Sequence, residues 1–338
     1  MQNISVEFKK PIKRQLLSID LVNLAIARNR CMFRLLIRRM TTQVLDEATL
    51  FEQVRVQIVP DFSVKSHKGL AGRVGVVGGS EEYTGAPFYA AMSALRTGCD
   101  LAHVFCLPQA APVIKAYSPD LIVHPLLGQP EKEKVAESIG PWLPRLHAVI
   151  IGPGLGRDDN VLEGVSHVIG LCREAAKPLV IDADGLWLAT LRPDLIKDYP
   201  GPLVLTPNVV EYERLANAVG KGEGSIAAAL GANTVVLRKG PSDLIEGAKG
   251  ERVDCTAQGS WRRCGGQGDL LSGSIGTFLS WEVYQKLEGP QTGIRAAYAA
   301  CKLVREMNRR AFLKNGRSMC ATDMLMEVHG AFSEFFGQ

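Results

Sequence analysis

No stretch of the chain runs for eighteen apolar residues, so no helical membrane span is expected. No CxxC pair occurs among its eight cysteines, Cys31, Cys99, Cys106, Cys172, Cys255, Cys264, Cys301 and Cys320. Zinc ribbons and dithiol redox motifs are thereby excluded, and buried reduced thiols are the expectation. The sequence also lacks GxxxxGK(S/T), HExxH, GxSxG and GxGxxG. These absences count against a Walker-type loop, a zincin, an α/β-hydrolase nucleophile elbow and a Rossmann-type dehydrogenase. The glycines of Gly152-Pro153-Gly154-Leu155-Gly156 have the wrong spacing for the last of these. The six histidines are scattered and form no Cys/His metal set.

Basic charge is scarce wherever a nucleic-acid face would need it. Residues 1–40 carry nine Lys or Arg against two acids, Glu7 and Asp20. The remainder carries 30 bases against 33 acids and is slightly acidic. Phosphates held by that body must therefore be held by local loops, and no nucleic-acid partner is expected.

What is present is an ordinary globular balance: 338 residues, 46% hydrophobic and 22% charged. The 34 glycines exceed the usual share of about 7% and suit tight turns or close approach of backbone to ligand. Residues 1–45 read as a separate N-terminal extension. Arg28, Arg30, Arg34, Arg38 and Arg39 alternate there with apolar residues, the acid-poor pattern of a mitochondrial targeting segment. An unselected extension upstream of a second start at Met40 is the alternative. Cytoplasmic and mitochondrial placement both follow from these readings.

Residues 46–338 read as a single α/β domain. Apolar runs at Arg73–Val77, Leu101–Leu107, Ala148–Ile151, Pro178–Ile181, Leu203–Leu205 and Thr234–Leu237 predict strands. Helical spacing covers 86–98, 160–175, 209–218, 225–230, 266–281, 292–310 and 322–335. Such alternation predicts a mainly parallel sheet with helices on both faces, a three-layer sandwich. Ligands in such folds sit past the carboxyl ends of strands. Polar turns occupy those places at Gly78-Gly79-Ser80, Gly152–Gly156, Asp182–Gly185, Thr206-Pro207-Asn208 and Lys239-Gly240. The apolar faces of Leu303–Phe312 and Phe332–Phe336 serve equally as core or as a contact in a homo-oligomer.

The segment Cys264-Gly265-Gly266-Gln267-Gly268-Asp269 leads straight into a helix. Unbonded amides and the positive helix end would meet there, an anion hole for a phosphoryl group. Asp269 is expected on the first turn, held ionised by the helix end and facing a hydroxyl that accepts the phosphoryl group. Any metal is expected to be Mg²⁺ accompanying nucleotide phosphates. Asp182 and Asp184 read either as its helpers or as turn and cap residues.

GGQGDLLSG resembles the anion-hole and catalytic-Asp motif of the ribokinase-like superfamily. The ordered set GRVGVVGGSEEYTGAPFYAAMSALRTGCDLAHVFC, VIIGPGLGRDD, LVIDADGLWL, LTPNVVEYERL, KGPSD and RRCGGQGDLLSG is more specific. It resembles the eukaryotic ATP-dependent NAD(P)H-hydrate dehydratases over about residues 66–337. The resemblance implies a ribokinase-like fold, with ATP as co-substrate, Mg²⁺, and the S epimer of hydrated NADH or NADPH as substrate. It implies hydrate binding at Gly156 and at Asn208, Val209, Val210, Glu211, Tyr212, Glu213 and Arg214. It implies ATP binding at Lys239, Gly240, Pro241, Ser242 and Asp243, and at Gly259, Ser260, Trp261, Arg262, Arg263, Cys264, Gly265, Gly266, Gln267 and Gly268. Asp269 matches the catalytic, substrate-contacting carboxylate. Tyr83, Thr84 and Gly85 fall where a loop would close over substrate. Trp261 departs from the family's small or polar residues. The same motif would serve a small-molecule kinase for a vitamin precursor or sugar, or a non-catalytic nucleotide sensor; an intact Asp269 counts against the sensor.

Overall fold

The computed structural model describes residues 42–61, 69–220, 224–287, 289 and 291–337. The targeting and second-start readings concern residues that lie, up to position 41, outside those described. The described chain from Gln43 onward forms one unit.

Short runs of β-branched and aliphatic residues build a ten-stranded sheet, in the order β1-β10-β9-β8-β7-β6-β5-β2-β3-β4. Its central strands are β2 (Arg73–Val77), β5 (Ala148–Ile151), β6 (Leu179–Ile181), β7 (Leu203–Leu205) and β8 (Thr234–Arg238). On one side lie β3 (Leu101–Phe105) and β4 (Ile122–His124). On the other lie β9 (Asp243–Gly247), β10 (Glu251–Cys255) and β1 (Gln43–Val44). Only β8–β9 and β9–β10 pair antiparallel. Strand β1 falls inside the expected extension 1–45, because Gln43 and Val44 pair in parallel with Glu251 and Arg252.

Alternation along each strand divides the core in two. Val74, Val76, Ile150, Val180, Val204, Val235 and Leu237 point into one hydrophobic cluster. Val77, Val149, Ile151, Leu179, Ile181, Leu203, Leu205 and Val236 point into the other. The first cluster is covered by α1 (Glu47–Gln53), α2 (Gly85–Thr97), α9 (Gln267–Tyr284), α10 (Ile294–Asn315), α11 (Ala321–Met326) and α12 (Val328–Phe336). The second is covered by α4 (Lys132–Ser138), α5 (Asp159–Glu174), α6 (Ala183–Leu191), α7 (Val209–Val219) and α8 (Ile226–Leu230). Helix α3 (Ala111–Tyr117) joins β3 to β4. The segment expected as one helix over 322–335 is two, parted at Glu327. Leu303, Met307, Phe332 and Phe336 are all core residues.

A hydrogen-bonded seam fixes the start of α9 against α2. Ser93 Oγ donates to Leu270 O (2.7 Å), Thr277 Oγ1 donates to Ala94 O (3.0 Å), and the hydroxyls of Ser93 and Ser274 meet at 3.0 Å. At the far end of α9, buried Glu282 accepts from Gly293 N–H (2.8 Å) and Arg295 Nε (2.7 Å). Burying these groups without such partners would cost more than the bonds return.

Candidate active site

The strand order reverses at β2, which lies between β5 and β3, and the polar turns line the carboxyl ends of the strands from there to β8. Gly79 N–H donates to Gly154 O (3.1 Å), locking the turns after β2 and β5 together. Asp182 follows β6. It is the N-cap of α6 rather than part of a free turn. Its Oδ1 accepts from Thr206 Oγ1 at 2.7 Å, past the end of β7, and from Lys239 Nζ at 2.9 Å, past the end of β8. Three neighbouring strands thus deliver one carboxylate, one hydroxyl and one ammonium to a single point.

The mouth of α9 closes this point from above. Gly266 is the N-cap, with φ +89, a left-handed conformation that costs glycine little. Intrahelical bonding begins with Leu270 N–H to Gly266 O (3.0 Å). The amides of Gln267, Gly268 and Asp269 therefore have no intrahelical acceptor and carry the positive end of the helix. A Cβ on Gly268 would stand 3.5 Å from Lys239 Nζ and 3.9 Å from Asp182 Oδ2. Bare amides, Lys239, Asp182 and Asp269 meet there.

Electrostatics correct one expectation. Asp269 is not held firmly ionised: burial pushes its carboxyl up to about 7, Asp182 adds repulsion, and Lys239 offsets only part of this. The helix end is outweighed by desolvation and a second carboxylate. For Lys239, burial opposes the charge, but Asp182, Glu211 and Asp269 outweigh it, and the ammonium is held above its ordinary value.

Asn208 caps α7, accepting from Glu211 N–H (2.9 Å), while Glu211 Oε2 accepts from Asn208 N–H (2.8 Å). Val209 and Val210 are exposed on the same first turn. Tyr212 turns into the core and Glu213 outward. Arg214 lies over Trp187, with its guanidinium carbon 4.9 Å from the ring centre. Gly156 N–H donates to Asp184 Oδ2 (3.1 Å). The stretch 208–214 therefore splits between cleft, core and rim.

The other loops are clamped by α10, the helix expected over 292–310, through side chains that the sequence did not single out. From α10, Arg305 donates to Asp243 Oδ2 (2.7 Å) and to the carbonyls of Gly240 (2.9 Å), Pro241 (2.8 Å) and Ala257 (3.2 Å). Asp243 Oδ1 also accepts from Gly240 N–H (3.0 Å). Asp243 is thus a latch for the Gly240-Pro241-Ser242 turn. Asn308 Oδ1 accepts from Ser260 N–H (2.5 Å) beside Gly259, and Asn308 Nδ2 donates to Arg262 O (3.4 Å). Gln267 Nε2 also donates to Arg262 O (3.1 Å), and Cys264 packs on the core. Arg263 and Gly265 face solvent, and Trp261 is 97% exposed. Tyr83 is exposed, and Thr84 Oγ1 lies 2.9 Å from the Tyr117 hydroxyl beside Gly85 at the start of α2. Thr206 lies in the expected polar turn after β7, but Arg305 and Asn308 belong to no motif, and only their contacts with the loops reveal them.

A profile of the family described as NAD(P)H-hydrate dehydratase matches residues 74–329. The ATP-dependent (S)-NAD(P)H-hydrate dehydratase of Bos taurus is 49% identical over 307 residues, covering 87% of this chain and 91% of that protein. The protein of the same name from Homo sapiens is 48% identical over 311 residues, 88% of each. Among solved structures, a ribokinase-like superfamily protein from Enterococcus faecalis superposes with a TM-score of 0.69 at 21% identity, covering 88% of this chain and 97% of that one. The ADP/ATP-dependent NAD(P)H-hydrate dehydratase of Bacillus subtilis, co-crystallized with ATP/Mg²⁺, gives 0.63 at 21% identity, covering 88% and 99%. At that identity the two structures establish the ribokinase-like fold alone.

Proposed function

The chain belongs to the NAD(P)H-hydrate dehydratase family, and from that premise we propose that it uses ATP to return the S epimer of hydrated NADH or NADPH to the intact dinucleotide. The observation that carries this reading is the meeting of Asp269, Lys239 and the open amides of Gln267 and Gly268 at the mouth of α9.

The substrate carries a hydroxyl where water has added at carbon 6 of the nicotinamide ring. Hydroxide leaves poorly, since the pKa of water is about 15.7, whereas a phosphate monoester's second ionisation lies near ~6. In our reading Asp269 takes the hydroxyl proton as the carbon-6 hydroxyl oxygen attacks the γ-phosphoryl group and ADP departs. Lys239 and the helix amides hold the negative charge on the moving group. The ring nitrogen's lone pair then expels phosphate. Loss of a proton from the adjacent carbon restores the dihydronicotinamide. Net dehydration thus follows from a kinase-like site.

For Mg²⁺, no group of three His, Cys, Asp or Glu able to hold a metal unaided occurs among the described residues. The converging donors are the oxygens of Asp182 and Asp269, which suits a hard cation shared with phosphates. We propose that these carboxylates hold it; when bound it would neutralise phosphate charge. The mitochondrial reading of residues 1–45 is likewise a proposal, and a reporter carrying them is expected to localise to mitochondria; a diffuse cytosolic signal refutes it.

The direct test is incubation with S-epimer NADH hydrate, ATP and Mg²⁺. Near-ultraviolet absorbance should recover with release of phosphate; accumulation of a stable phosphoester would instead identify a small-molecule kinase. The acid limb of kcat/KM provides a second check. Asp269 must be deprotonated to act, and in the protein free of metal and nucleotide, burial and Asp182 raise its carboxyl to about 7. The rate should climb tenfold per pH unit below about 7 and level off above it, read from a pH profile of the free enzyme. Finally, Arg305→Met releases the Gly240-Pro241 turn without touching Asp269. KM for ATP should rise roughly tenfold, with kcat nearly unchanged, in steady-state assays with varied ATP.

A further inference from the structure

Arg157 follows Gly156 past the end of β5, Trp187 lies on α6 and Arg214 on α7. Both guanidinium groups lie over one indole. The Arg157 carbon stands 4.5 Å from the Trp187 ring centre, and the Arg214 carbon 4.9 Å. A guanidinium stacked on an aromatic face keeps its in-plane N–H donors turned outward, in the fork that matches phosphate. Asp184 Oδ1 accepts from Arg157 Nε at 3.2 Å, and its Oδ2 accepts from Gly156 N–H at 3.1 Å. One carboxylate thus orients Arg157, and Arg214 has no carboxylate ion pair among the described residues. The cluster keeps a net positive charge, and the Arg157 side chain is 55% exposed.

This cluster is separate from the phosphoryl-transfer point. Lys239 lies past β8 and Arg157 past β5, with β7 and β6 between those strands. A dinucleotide substrate brings phosphates of its own, which the amides of α9 cannot hold while they hold the transferring group. We infer that Arg157 and Arg214, both held on Trp187, bind phosphate of the dinucleotide substrate. The inference rests on the function proposed above. It adds Arg157 and Trp187 to the site and assigns Arg214 a ligand class. The group is either the pyrophosphate or, in NADPH hydrate, the 2′-phosphate.

The test compares Arg157→Ala, Arg214→Ala and the double variant on NADH hydrate and NADPH hydrate at saturating ATP. KM for the hydrate should rise about 10- to 100-fold per arginine, the range for losing a hydrogen bond to a charged group, while kcat holds. A rise with both hydrates assigns the pyrophosphate; a rise with NADPH hydrate alone assigns the 2′-phosphate. Trp187→Leu, which keeps both arginines, should also raise KM, and Trp187→Phe should restore most of the affinity. Unchanged KM for both hydrates overturns the inference, as does a shift confined to KM for ATP. Direct titration with NADPH, followed by its own fluorescence, gives the same comparison without turnover. Should the wild type fail to repair hydrate, the proposed function falls. Equal NADPH affinity of wild type and double variant would overturn the phosphate site.

Discussion

Asp269→Asn is expected to abolish turnover, leave ATP bound and make the protein harder to unfold. The first effect follows from removing the proton acceptor while keeping its shape; positioned general bases contribute roughly 10²–10⁴-fold. The amides of Gln267 and Gly268 and the Lys239 ammonium are untouched, so nucleotide affinity should change little. The stability gain follows from the same electrostatics. The carboxyl lies at about 7 in the folded chain against an ordinary 3.8, through burial and then repulsion from Asp182. A group raised on folding favours the native state least when ionised. The contribution of Asp269 to wild-type stability therefore declines as pH climbs from about 3.8 to about 7 and stays reduced above that. Asparagine carries no such penalty. With its partial contact with water allowed for, the gain at neutral pH is on the order of 2 kcal/mol. Denaturation of both proteins across pH should show their stabilities converging in acid and separating toward neutrality. Hydrate repair by Asp269→Asn at a near-normal rate would remove Asp269 from the chemistry.

That opposition of activity and stability was only half legible in the residues. The order GGQGD before an apolar helical pattern placed Asp269 on a first turn, where it is found. On local sequence alone, the helix end would hold the charge. Asp182 lies 87 positions earlier in the chain, and only the pairing of β6 with its neighbours brings it close. The strands Arg73–Val77, Ala148–Ile151 and Leu203–Leu205 were readable to the residue because both their faces are buried and the apolar run has no gaps. Strands β9 and β10 were not, since DLIEG and ERVDC interleave charged with apolar residues. Two-residue β1 has no periodicity to detect. Arg305 and Asn308 sit in an amphipathic helix, 65 residues beyond Gly240 and 48 beyond Ser260, which they clamp. Their sequence signal is that of any polar helix face; contact with Gly240 and Ser260 distinguishes them.

Gly152→Ala should be the most damaging single methyl group in the protein. Gly152 ends β5 with φ +123, and a Cβ there would stand 1.9 Å from Asp182 O and 2.5 Å from Gly185 N. Both obstacles are backbone, so no side-chain rotation relieves them. The backbone is also tied on both sides: Gly152 N–H donates to Val77 O (2.9 Å) and Asp182 N–H to Ile151 O (3.0 Å). Left-handed strain costs a non-glycine residue about 1–3 kcal/mol, and overpacking adds about 1–3 kcal/mol. A loss of roughly 3–5 kcal/mol is expected, read as a lowered denaturation midpoint. Molecules that still fold must move the start of α6, and with it the Asp182 carboxylate that holds Lys239 and Thr206. Activity per folded molecule should therefore fall as well. Gly170→Ala separates this geometry from a general sensitivity of glycines. Gly170 lies within α5, and no atom stands within 4 Å of its added Cβ. Alanine there should stabilise by about 0.5–1 kcal/mol and leave turnover alone. If Gly152→Ala unfolds at the wild-type midpoint, the backbone contact between β5 and α6 does not hold Asp182 in place.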